Sequence, residues 1–148
     1  MDAVFSLSGI LVMPIWLAMI VLPGWSVTRR VVGSPLVALA PSLLYAALVL
    51  PRILELFPIV ARPELEAVAM VLGTPDGATI AWIHFLAFDV LVGRWVYLDA
   101  RARKISALVS SPILFLVLMF GPLGFALHLV ARRVLGRPVE AAGRGADA

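Results

Sequence analysis

His84, Asp89 and Arg94 fall inside one apolar stretch, TIAWIHFLAFDVLVGRWVYLD, over 79–99. Such a stretch is long enough to cross a bilayer. A carboxylate at bilayer depth costs about 3 kcal/mol or more on insertion scales, so it is kept for a partner, a cavity or a substrate. The chemistry within reach of these groups is proton transfer, which needs no cofactor. Asp89 can act as acid or base, with His84 or Tyr45 as its complement. Arg94 can stabilise developing negative charge. The candidate catalytic residues are therefore Asp89, His84 and Tyr45.

Depth follows from position, since a helix rises about 1.5 Å per residue. Asp89 lies near the midplane of its segment, and Pro14, Tyr45 and Gly121-Pro122 fall at the same level of theirs. Proline frees a carbonyl one turn earlier, and a freed carbonyl in a membrane must meet protein, water or ligand. A small polar cavity at mid-depth is one expectation, and four unrelated kinks are the other. At about 100° per residue, Trp82, Asp89, Gly93 and Tyr97 form one stripe, with His84 and Arg94 pointing elsewhere. Asp89 and Arg94 are not spaced as helical partners. Asp89 thus needs a partner from another helix, Tyr45 by depth, or stays protonated.

At the far level, toward the loop between the second and third segments, Arg52 and Glu55 match His84 and His128. Arg52 and Glu55 are spaced to pair. A group of His84, Glu55 and His128 fits no established metal spacing, and no metal is assigned. At the near level, Arg94, Tyr97 and Asp99 approach Arg29 and Arg30, where headgroup anchoring with Trp95 competes with a substrate-phosphate site. Trp82, Arg94, Tyr97, Arg52 and Glu55 are the candidate substrate-binding residues.

These groups are positioned by membrane helices. Of 148 residues, 62% are hydrophobic and 14% charged, where soluble domains run nearer one quarter charged. The fold class is all-α: a polytopic bundle of four transmembrane helices with proline kinks. Spans are expected over about 4–22, 35–57, 79–99 and 112–131, within a domain over 1–135. A short surface helix lies between the second and third, at Ala67 to Leu72, followed by a turn from Gly73 to Gly77. The tail over 136–148 is polar and expected to be flexible. Cysteine is absent, which excludes disulfides and thiolate chemistry. Basic residues flank the spans instead of forming a stripe, so nucleic acid is not an expected partner. Membrane lipids are, and a homo-oligomer is allowed. Basic loops one and three, against an acidic second loop, put both termini outside, although Arg132 and Arg133 pull the other way.

The strings GTPDGATIAWIHFLAFDVLVGRWVYLDARAR, from Gly73 to Arg103, and SPILFLVLMFGPLGFALHLVAR, from Ser111 to Arg132, resemble the abscisic-acid-deficient-four-like family of small four-span membrane proteins. LVMPIWLAMIVLPGW and TRRVVGSPLVALAPSLLYAALVLP fit as well. The resemblance implies a link to neoxanthin synthesis, the conversion of an epoxy-carotenoid to an allenic one. It brings no assigned catalytic residues with it. A chain that starts almost directly with its first span, with no transit segment, is expected in a bacterial inner membrane. The first expectation for function is a cofactor-independent isomerase of a carotenoid or other isoprenoid lipid, working by acid/base chemistry at Asp89. The second is a non-catalytic module that binds a pigment or lipid, or supports assembly of a membrane complex.

Overall fold

A computed structural model describes residues 1–138. Among them every regular element is helical. The chain runs through α1 (Asp2–Val21), α2 (Ser26–Gly33), α3 (Leu39–Val49), α4 (Ile53–Ala61), α5 (Leu65–Leu72), α6 (Pro75–Ala102) and α7 (Ala107–Val134). Four stretches are long and apolar enough to cross a membrane: α1, the composite Pro35–Ala61, α6 and α7. The expected all-α class stands, with four stretches of spanning length and the short helix between the second and third. The expected tail lies, from 139 on, outside the described residues.

Local chemistry sets the boundaries. The turn expected from Gly73 to Gly77 is shorter: Gly73 and Thr74 join α5 to α6, which begins at Pro75. Thr74 caps it by accepting from the Gly77 N–H at 3.0 Å, and Pro75 takes the first helical position, where its missing donor is harmless. The second span is not one helix. A 3-10 turn at Pro35–Ala38 opens it, and a second at Leu50–Arg52 divides α3 from α4, since Pro51 cannot donate to the helical ladder. The loop after the first span holds a helix that sequence did not anticipate. α2 turns Thr28 and Val32 inward and leaves Arg29 and Arg30 outside.

The core sits where α1, α6 and α7 meet: Val12, Trp16, Leu86, Val90, Val96, Leu114 and Val117 pack together there. α1 runs parallel to α6. Phe5 stacks on Trp82, Trp16 covers Gly93, and the α1–α2 turn reaches Tyr97. A methyl group on Gly93 would overlap the fully buried Trp16 ring. Gly93→Ala is therefore expected to destabilise by about 1–3 kcal/mol, measured as a lower unfolding temperature in detergent. Gly9, with nothing within 4 Å of an added Cβ, is the control and should tolerate Ala.

The fourth apolar segment has the length of a span but not its path. Phe120 leaves helical geometry at φ −143° and ψ 60°. Pro122 follows, unable to donate and crowding the carbonyl one turn earlier. The two halves then fold together so tightly that a Cβ on Gly124 would overlap the Val117 backbone. Beyond the break, contacts advance in the same direction as α6. Gly121 lies against Asp89, Phe125 and His128 against Trp95, His128 and Arg132 against Asp99, and the Arg137 N–H donates to the Arg103 carbonyl at 3.0 Å. α7 thus enters from the near end, reaches the depth of Asp89 and returns to the near end.

Candidate functional site

A cleft of about 490 Å³ opens between α3, α4, α5 and α6. Val49, Leu56, Val68 and Ile80 contribute to walls that are almost wholly apolar. Two side chains in it can move protons, Tyr45 and His84. Their rings lie 5.3 Å apart, centre to centre. His84 is steadied by Phe88, at 4.8 Å, and by the edge of Phe85, at 6.1 Å. α4 and α5, which cover the cleft, bury no residue of their own. This flank is therefore thinly packed. The cleft suits a long apolar ligand with a polar feature near one end.

Structure joins Tyr45 and His84 but separates both from Asp89. Asp89 does not line the cleft. Five residues beyond His84 on a helix is about 7.5 Å of rise and a different face, and its carboxylate lies against Gly121 at the break in α7. The expected pairing of Asp89 with Tyr45 is corrected accordingly, because Tyr45 sits one to two turns higher, on His84. Arg52 pairs with Asp76, at the start of α6, rather than with Glu55, and Glu55 is exposed. Trp82 stacks on Phe5 at 5.5 Å. Arg94 donates to the Gly33 carbonyl and Tyr97 to the Pro23 carbonyl, each at 2.7 Å. These three fasten α1 and α2 to α6 and stand outside the cleft. His84, Glu55 and His128 do not converge, since His128 lies at the opposite end, on Asp99.

The sequence profile of the ABA4-like family, described as ABA DEFICIENT 4-like, matches residues 3–128. The chain belongs to the ABA DEFICIENT 4-like family. A relative in Arabidopsis thaliana, "Protein ABA DEFICIENT 4, chloroplastic", is 27% identical over 140 residues, covering 90% of this chain and 62% of that protein. The chain therefore spans less than two thirds of that relative's length. No solved structure matches it. The cleft and the break in α7 both fall within the family match. The relative's name places that relative in a chloroplast, so the comparison lends nothing to the expected bacterial inner membrane. What stands is that this ABA DEFICIENT 4-like chain is a membrane protein with four sufficiently long apolar helices.

One polar cluster in this family member escaped the sequence. Asp99 accepts from His128 Nε2 at 2.9 Å and from Arg103 Nε at 3.0 Å, with Arg132 Nε at 3.5 Å. His128 is fully buried, and its Nδ1 has no partner among the described residues. Arg132 also covers the Trp95 ring at 5.3 Å. Depth counting along a straight fourth span had carried His128 to the far end. The signal that relocates it was present in FGPLG, where Pro122 and two glycines interrupt the helix. The cluster joins the return half of α7 to α6.

Proposed function

We propose that this membrane protein binds a carotenoid or another isoprenoid lipid in the cleft beside α6 and isomerises it without a cofactor, with His84 and Tyr45 as the proton-handling pair. The observation that carries this reading is the cleft itself: its walls are apolar, and its two proton-handling groups stand side by side at one level. Membership of the ABA DEFICIENT 4-like family, with the link to neoxanthin synthesis that the resemblance implies, supports a place in carotenoid chemistry. Opening an epoxide to an allene breaks a C–O bond, gives the oxygen a proton and takes one from a neighbouring carbon. An imidazole and a phenol in contact can deliver one proton and accept the other, leaving the protein unchanged. A substrate dissolved in lipid reaches the cleft past α4 and α5, whose outward residues Leu54, Leu65 and Met70 are apolar and exposed. Asp89 is given a different task, as the polar contact for the tip of the α7 hairpin.

The test is conversion of an epoxy-carotenoid in a host that makes the substrate and expresses the full chain. His84→Gln is expected to lower conversion by about 100-fold or more, while pigment still co-purifies. Conversion by His84→Gln at the parent's rate would overturn the assignment. The aromatic bed around His84 also favours a second reading, a module that holds the pigment without changing it. That reading is selected if the parent retains pigment but converts none.

A further inference from the structure

At the near end, the turn between α1 and α2 is held by side chains from both sides. The Pro23 carbonyl accepts from Tyr97 Oη at 2.7 Å and from an Arg101 guanidinium nitrogen at 3.1 Å. The neighbouring Gly24 carbonyl accepts from Arg29 at 2.8 Å. Two guanidinium groups are thereby gathered on successive carbonyls. Each has further donors to spare, and neither meets a carboxylate among the described residues. Among the described residues the acid at this end is Asp99, and it is occupied by Arg103, Arg132 and His128. Like charges brought together without a counter-charge repel unless an anion joins them.

The surroundings specify where that anion sits. α2 lies across the near end with Thr28 and Val32 buried. It exposes Arg29 one turn beyond the half-exposed Trp25, while Val27 and Val31 are exposed on the opposite flank, beside Arg30. Apolar side chains mixed with arginines and led by a tryptophan mark a helix that lies in the headgroup layer. A lipid there places its phosphate at the level of the guanidiniums and its chains against Trp25. Planar guanidinium forks match phosphate oxygens with two parallel hydrogen bonds.

We propose that Arg29 and Arg101, gathered on the α1–α2 turn, bind the phosphate of an anionic phospholipid in the leaflet at the near end. The test uses the full chain purified in uncharged detergent, with unfolding temperature followed as lipid is added. Phosphatidylglycerol is expected to raise it, and neither phosphatidylcholine nor inorganic phosphate should do so at equal concentration. Each basic group near an anionic surface strengthens binding about fivefold. Arg29→Gln together with Arg101→Gln should therefore weaken the phosphatidylglycerol effect about 30-fold, while Arg62→Gln at the far end leaves it intact. Arg29→Gln alone keeps the Arg101 bond to Pro23 and should weaken it about fivefold, which preserves the test if the double variant does not fold. Undiminished stabilisation of the variants by phosphatidylglycerol would overturn the site. So would equal stabilisation by inorganic phosphate, which would make it a site for a free anion, or by phosphatidylcholine, which would remove the role of charge.

Discussion

A cysteine introduced at Arg137 is expected to share a membrane side with one at Ser106 and to lie opposite cysteines at Asp2 and Glu64. The chain has no cysteine of its own, so single-site labelling by a membrane-impermeant maleimide starts from no background. The result follows from the path of α7. Each of its halves has about 13 residues, which is about 20 Å of helix, too short for a hydrocarbon core of about 30 Å. The Arg137–Arg103 backbone bond then ties Arg137 beside the start of the α6–α7 loop. Three crossings and a re-entrant hairpin leave the described ends of the chain on opposite sides. Four crossings would put Arg137 with Glu64, and labelling of that pair together would refute the hairpin.

Charge agrees with this path. Arg29, Arg30, Arg101, Arg103, Lys104, Arg132, Arg133 and Arg137 all gather at the near end, where Asp99 is the matching acid. The far end holds Asp2, Glu55, Glu64, Glu66 and Asp76 against Arg52 and Arg62. The positive-inside rule then predicts the near end on the cytoplasmic side when the chain is expressed in a bacterium. The conflict between basic loops and a basic C-terminal segment, unavoidable with four straight spans, disappears once α7 turns back. A non-helical backbone at membrane depth needs polar company, and although Phe120 is itself exposed, the residue that follows it is not. Gly121 there is buried and faces Asp89.

What sequence made legible was what depends on local chemistry. Apolar length located the four segments, and the contact between Asp89 and Gly121 was foreshadowed by their equal depth. Trp82, Gly93 and Tyr97 do form one stripe, turned toward α1 and the turn after it. What failed was every inference that needed the direction of a helix after a breaker. Pro122 announces an interruption, but whether the chain then continues or reverses depends on which surface the second half can bury. Here the depth of His128 changed ends with that choice. Arg52 was misassigned for a related reason. Glu55 is its neighbour by spacing, yet the 3-10 turn at Leu50–Arg52 interrupts the helical register that would join them, and Asp76 arrives from α6 instead. Tyr45 and His84 were both named as candidates, but their pairing depends on how α3 leans on α6, which no spacing encodes.

The hairpin should be most sensitive at Asp99. Its side chain is 13% exposed and collects His128, Arg103 and Arg132 from α6 and the return half of α7. Asp99→Ala removes the common acceptor. His128 Nε2 is then buried without a partner, like its Nδ1 already, and two arginines face each other with no anion between them. Breaking a buried pair in this way costs about 3–5 kcal/mol, and the lower part of that range is expected because Arg103 and Arg132 are partly exposed and can turn to water. His128→Leu should cost less, about 1 kcal/mol, since Asp99 keeps both arginines and the orphaned Nδ1 is removed as well. The ordering, Asp99→Ala well below His128→Leu in unfolding temperature, distinguishes an anion that staples two helices from a histidine that merely fills space. Hydrogen exchange locates the damage: amides over 121–134 should quicken in Asp99→Ala before those of α1 or the first half of α6, because the bonds lost are the ones that join the return half to α6. Equal loosening of all helices, or a variant as stable as the parent, would show that the return half is held by apolar packing alone.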